Sequence, residues 1–315
     1  MNACGSTIRG FWPDAVIGYW AHPDGAVASR LARSLGVPSI TMCGGSDVLV
    51  LANQPSRRSS ITRALRSADA VVTVSEHLRR AVADLGVAAG KVHVIRRGVD
   101  LERFTPGNRD DARRTLGLPS NLAVGLYVGR LARVKGVDVL LQACHLLRRR
   151  CPGFRMYIIG GGPEARQLQQ ICARLELNDC VRFLGAVDHA QLSSWYRAAD
   201  CMVLPSRSEG IPNVLLESIS CGTPVVASDV GGISEVTDER LDFLVRPGDP
   251  EALAAAMLQA FTAKRSHAPR RFQPSSLRDT AARLSALVAD LTASTNRSPQ
   301  PAGHTHARAC GLVEQ

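Results

Sequence analysis

The stretch Cys201–Ser228, CMVLPSRSEGIPNVLLESISCGTPVVAS, decides the fold. It opens on a short apolar run, CMVL, turns through a polar loop, RSEGI, continues in a helical pattern, PNVLLESISC, and closes on a second β-rich run, TPVVAS. Pro212 suits the first turn of a helix, where a missing N–H leaves nothing unpaired, and Gly222 suits a left-handed close. Strand, helix and strand at this spacing form a βαβ unit with parallel strands. In an open parallel sheet the strand-to-helix loop lies at the carboxyl edge, where ligands bind, so Glu209 is expected at a site.

The same alternation runs outward in both directions. Upstream come AVIGYW, the helical AVASRLARSLG, PSITM, SITRALRSAD, AVVTVS, EHLRRAVADLG and KVHVI; between Gly98 and Leu118 turn formers and a short helix interrupt; then LAVGLYVG begins a second series. Repeated units of this kind imply parallel sheets covered on both faces. The fold class is therefore α/β, with two Rossmann-like doubly wound domains expected at 1–106 and 120–291 across a linker at 107–119. The helix SSLRDTAARLSALVADL ends the second series, and the polar, proline-bearing segment 292–315 is expected to be disordered, its His304 and His306 incidental.

Composition limits the function classes. No apolar run approaches the roughly 20 residues of a membrane span, and the N-terminus has neither the basic start nor the apolar core of a signal peptide, so a cytoplasmic protein is expected. The nine cysteines are scattered and odd in number, which suggests neither a disulfide framework nor a zinc site. A net charge of +10 points to anionic company: nucleic acid, an acidic membrane face or a phosphorylated ligand. With 4% aromatics and no RNA-binding or finger motif, nucleic acid is the weakest of these partners.

Three loops carry candidate chemistry. In the quoted stretch Asn213, Glu217 and Ser220 recur at helical spacing, so Glu217 is expected on the ligand-facing flank, although a carboxylate in the first turns also simply suits the helix dipole. The free N–H groups of that helix start can receive an anion. In YVGRLARVKG, Arg130 and Lys135 follow a strand end between Gly129 and Gly136; they can clamp a diphosphate, or form a solvated surface turn. In IIGGGPEA the order Gly160, Gly162, Ala165 matches a dinucleotide fingerprint, a weak signal because Glu164 would meet a bound pyrophosphate. The chain has no D-x-D pair to carry a divalent metal onto a diphosphate.

Taken together, YVGRLARVKGVDVLLQA, YIIGGGPE, VRFLG, the long run from Tyr196 to Val236, and in the first half GSD, AVVTVSEHLRR and VIRRGVDLERF resemble glycosyltransferase family 4. The resemblance covers about Asp14 to Leu291. It implies a GT-B fold and a retaining, metal-independent transfer of sugar from a UDP- or GDP-sugar, with no cofactor, to a glycan or lipid-linked acceptor in polysaccharide assembly. It implies that Arg130 and Lys135 meet the donor diphosphate, that Glu217 accepts from the ribose hydroxyls and that Glu209 contacts the transferred sugar. Backbone at Ile211, Pro212 and Asn213 would cap phosphate and sugar. Gly129, Gly161, Leu184 and Gly210 complete the expected donor site.

The chain departs from the family in three places. Its first half is short, so the expectation includes an incomplete first domain, and a donor-binding module working with a partner protein stands as the alternative to an active enzyme. Where relatives carry a histidine at the end of the first strand this chain has Ile17, Gly18 and Tyr19, with His22 beyond as the candidate site residue or a plain loop histidine. In the family's N-G-V-D turn Arg97 replaces asparagine. Finally, SRRSSITRALR and LLRRR can seat the protein peripherally on an anionic inner leaflet or be solvated helix faces.

Overall fold

Among the described residues ten short strands, most of them apolar on both faces, build two parallel sheets, as expected of strands that helices cover from either side. The computed structural model describes residues 13–263 and 269–294; the disorder expected beyond Ser294, with His304 and His306, lies outside them. In the first sheet β1 (Val16–Tyr19), β2 (Ser39–Met42), β3 (Ala70–Thr73) and β4 (Val92–Val94) lie in sequence order.

The second sheet is doubly wound. It comprises β5 (Val124–Val128), β6 (Arg155–Ile159), β7 (Val181–Gly185), β8 (Cys201–Leu204), β9 (Val225–Ser228) and β10 (Phe243–Val245), in the spatial order β10-β9-β8-β5-β6-β7. Gly125 pairs with Cys201 and Leu126 with Met202, so the winding reverses between β5 and β8. That switch point opens a crevice at the carboxyl ends of these two strands.

Helices cover both sheets. Around the first lie α1 (Ala26–Leu35), the single turn α2 (Ser46–Leu49), α3 (Pro55–Ser67) and α4 (Glu76–Asp84). Around the second lie α5 (Arg109–Leu116), α6 (Val137–Arg148), α7 (Ala165–Arg174), α8 (His189–Ala198), α9 (Asn213–Ser220) and α10 (Pro250–Thr262). The last helix, α11 (Leu277–Ser294), returns to the first sheet, where Leu287 joins Ile40, Ala70, Val72 and Ile95 in one buried cluster. No described helix is long and apolar enough to cross a membrane.

The short helix expected in the segment between the two series is α5, and it docks on the second sheet's side of the molecule. Asn108 caps α5 through the amides of Asp110 and Asp111, and Gly117, at φ 65°, closes it. Arg113 is buried, donating to the Ala198 carbonyl at 2.9 Å and to Asp200 at 2.7 Å. A buried guanidinium satisfied in this way fixes α5 against α8.

The two halves meet closely. A Cβ on Gly45 would lie 3.0 Å from the Gly210 nitrogen, and one on Gly232 would lie 2.5 Å from the Cβ of Ser75. Asp47, buried after β2, holds the first of these approaches by accepting from the amides of Ala21, Gly44, Gly45 and Val48. Glu235 crosses the interface: its carboxylate accepts from the Glu76 and His77 amides at the start of α4, at 3.0 and 2.8 Å, and from Arg96 at 2.8 Å.

Candidate active site

The switch point between β5 and β8 carries two loops, and the sequence ties them together. Arg207 forms a two-pronged ion pair with Asp138, at 2.9 and 2.7 Å, while its amide donates to the Val134 carbonyl. Burial alone would raise the Asp138 carboxyl, but the paired Arg207 outweighs it and holds the carboxyl below the usual range. Gly136, at φ 65°, sits so close to the Pro205 carbonyl that a Cβ would fall 2.0 Å from its oxygen. The glycine loop after β6 braces the same region: the Leu131 amide donates to Gly161 O, and Cβ atoms on Gly160 or Gly162 would strike Gly129 O or Leu131 O. Loop packing thus accounts for the glycines that resembled a dinucleotide fingerprint.

Between these loops and the first domain lies a cavity of about 300 Å³. Gly129, Arg130, Lys135, Glu209, Gly210, Ile211, Pro212 and Asn213 all line it, which brings eight of the expected site residues together. From the opposite wall come Gly44, Val74 and Arg97. Pro212 precedes α9 in extended conformation, and no side chain caps the helix start, so its first amides are left for an anion. Behind α9 the chain closes as read: Gly222 follows at φ 74°.

Glu209 is the centre of the polar network. It is 8% exposed, and its Oε1 accepts both from Lys135 Nζ and from Ser206 Oγ, each at 2.7 Å. Both bonds fall on one oxygen, leaving Oε2 for a hydroxyl. Beneath it, Tyr127 donates to the Arg130 carbonyl at 3.0 Å and so fixes the cationic loop. Burial, and secondarily the charge of Glu209, pushes the Tyr127 phenol well above its ordinary value, keeping it a donor.

Glu217 sits elsewhere than on the cavity lining. The helix turns its carboxylate towards α8, where Oε2 accepts from Tyr196 at 2.8 Å and His189 Nε2 approaches Oε1 at 3.4 Å. Arg103 has only donors, so its 2.9 Å contact with His189 Nδ1 leaves Nε2 as the protonated nitrogen facing Glu217. Burial first, then the neighbouring Glu217, pushes the Tyr196 phenol well up. From this helix Asn213 and Val214 reach the cavity.

Three further expected residues lie outside this cavity's lining: His22 is exposed in the loop after β1, Gly161 supports the Arg130 loop, and Leu184 is an exposed side chain on β7. Sequence reading missed Ser206 and the Arg97 wall; the signal for Ser206 was its place at the end of β8, beside the loop that holds Glu209.

Comparison with known proteins agrees with this architecture. A model described as Glycosyltransferase Family 4 matches residues 2–103, and one described as Glycosyl transferases group 1 matches residues 123–263. The chain is 43% identical over 188 residues to D-inositol 3-phosphate glycosyltransferase 2 of Catenulispora acidiphila, covering 56% of this chain and 44% of the relative. It is 32% identical over 253 residues to the putative teichuronic acid biosynthesis glycosyltransferase TuaC of Bacillus subtilis, covering 79% and 61%. It thus spans about half the length of the curated relatives it matches. Among solved structures, sucrose-phosphate synthase from Thermosynechococcus elongatus superposes with TM-score 0.78 at 25% identity, over 93% of this chain and 77% of the other. Anabaena HepE, solved with UDP and glucose, has the same TM-score at 21% identity, over 92% and 82%, and so shares the fold. Two paired sheets of GT-B type, matched by both family models, place this chain in glycosyltransferase family 4.

Proposed function

We propose that the chain moves a sugar from a nucleotide diphosphate donor to a hydroxyl of a glycan or lipid-linked acceptor, with retention at the anomeric carbon, in polysaccharide assembly. The observation that carries this reading is the cavity at the β5–β8 switch point, where Arg130, Lys135 and the free amides of α9 surround Glu209. In this reading the amides and the two cations receive the diphosphate. Departure of the leaving group builds negative charge on its bridging oxygen, and Arg130 and Lys135 stabilise that charge more in the transition state than in the ground state. Glu209 accepts from a hydroxyl of the transferred sugar through Oε2 and orients the ring. The acceptor hydroxyl enters from the wall of Gly44, Val74 and Arg97 and attacks the face that the diphosphate leaves, so that the new C–O bond forms as the sugar–phosphate bond breaks and the hydroxyl proton passes to the departing phosphate oxygen. Glu217, fixed by Tyr196, reads the ribose. Relatives named for D-inositol 3-phosphate make that compound the first acceptor to try. The arginine-bearing α3 would seat the chain against an anionic surface.

The donor is the one small molecule this reading requires, so the test runs in chelator. Calorimetric titration with UDP, GDP and NAD should show binding of UDP or GDP, weaker in Glu217→Ala, followed by sugar transfer or slow donor hydrolysis. No binding by either nucleotide overturns the reading, and nucleotide binding without transfer or hydrolysis reduces the chain to a binding module.

A further inference from the structure

Arg97 follows β4 in the turn where family 4 has asparagine, and it stands on the wall of the cavity that faces Arg130 and Lys135. Its guanidinium carbon lies 5.0 Å from the centre of the Tyr19 ring. The ring supports the charge from one side. Neighbouring cations have carboxylates: Arg96 pairs with Glu235 at 2.8 Å and Lys135 with Glu209 at 2.7 Å. Among the described residues no carboxylate pairs with Arg97. Burial also pushes the Arg97 guanidinium below its ordinary range, with no acid nearby to reverse the effect. A half-buried cation of this kind costs free energy unless an anion meets it.

Asparagine at this turn offers a neutral amide; arginine offers a planar fork of donors matched to phosphate and carboxylate. The diphosphate already has Arg130, Lys135 and the α9 amides on the far wall. We propose that Arg97 is a specificity-determining residue that binds a further oxyanion, a phosphate or carboxylate carried by the acceptor or by the transferred sugar. The inference rests on the donor site described above and extends it: the substrate pair brings one more negative charge than the diphosphate supplies.

The Nε resonance of Arg97 in arginine-15N protein, assigned by its loss in Arg97→Lys, reports the contact directly. With UDP already saturating, D-inositol 3-phosphate should shift it if the oxyanion is on the acceptor, and glucuronate should shift it if the oxyanion is on the sugar; inositol and glucose should not. Arg97→Asn should weaken the effective anionic probe at least tenfold while changing UDP affinity less than twofold. A resonance that moves with UDP alone would make Arg97 a third diphosphate clamp and overturn the proposal. A resonance that moves with none of these probes overturns it as well. Should the wild type fail to bind UDP, the donor-site reading falls, and the two anionic titrations without nucleotide still decide the fate of Arg97.

Discussion

Lys135 Nζ lies 2.7 Å from Glu209 Oε1, a cation and a carboxylate brought from two different strand ends to one point of the cleft. The pair holds each side chain in the position it needs before any donor arrives. Removing the lysine therefore has two consequences: the 8% exposed carboxylate loses its counter-charge, and, under the proposed function, the leaving diphosphate loses a stabilising cation. Lys135→Ala is expected to lower kcat by roughly 10² to 10³, about 2–4 kcal/mol, with a smaller change in donor Kd. Steady-state kinetics beside calorimetry separates the two effects; an unchanged kcat would remove Lys135 from the chemistry.

Tyr196, fully buried, holds the 8% exposed Glu217 from beneath at 2.8 Å. Tyr196→Phe deletes that donor and leaves a carboxylate oxygen buried without it, at an expected cost of about 1–3 kcal/mol. The denaturant midpoint should fall with an unchanged slope. Under the proposed function nucleotide affinity should fall too, because Glu217, the proposed ribose acceptor, loses its fixed rotamer. A midpoint equal to that of the wild type would show that the bond contributes nothing net.

Much of this was legible in the sequence because it is local. Short continuous apolar runs, glycine-bracketed loops and the proline-to-glycine frame of α9 place Glu209, Arg130 and Lys135 at strand ends, and strand ends of one parallel sheet share an edge. What escaped is non-local. The rotation of α9 that turns Glu217 towards Tyr196 depends on where α8 packs, and α8 is positioned in part by Arg113, which reaches it from the short helix between the two series. Arg97 was visible only as a departure from a pattern; its place on the cavity wall depends on how the two sheets face each other.

Gly45 tests that facing. Its φ of 115° is a conformation that side-chain-bearing residues rarely adopt, and a Cβ would press on the Gly210 nitrogen at 3.0 Å and Cα at 3.2 Å. Gly45→Ala should cost about 1–3 kcal/mol in strain and open the cleft, seen as a larger radius of gyration by small-angle scattering and weaker nucleotide binding. Gly117→Ala is the control: its φ is 65° but nothing lies within 4 Å of the added methyl, so stability falls while the cleft stays as it is.

Glu235 links the halves through charge, and charge makes the link pH-dependent. Burial pushes its carboxyl up, but the Glu76 and His77 amides and Arg96 together pull it below the ordinary value of 4.5. A depressed carboxyl contributes its stability above the unfolded-state value and loses it as pH falls through the lower folded-state value. Hydrogen bonds to a charged group are worth about 1.5–3 kcal/mol, so the link is a sizeable part of the interface. Comparing wild type with Glu235→Gln should show a constant stability difference above about pH 5 that shrinks on further acidification, because the amide cannot titrate. Hydrogen exchange at the first turn of α4 should speed up in the variant at neutral pH and in the wild type only in acid. Equal exchange in both proteins at every pH would show that the two halves are held together without Glu235.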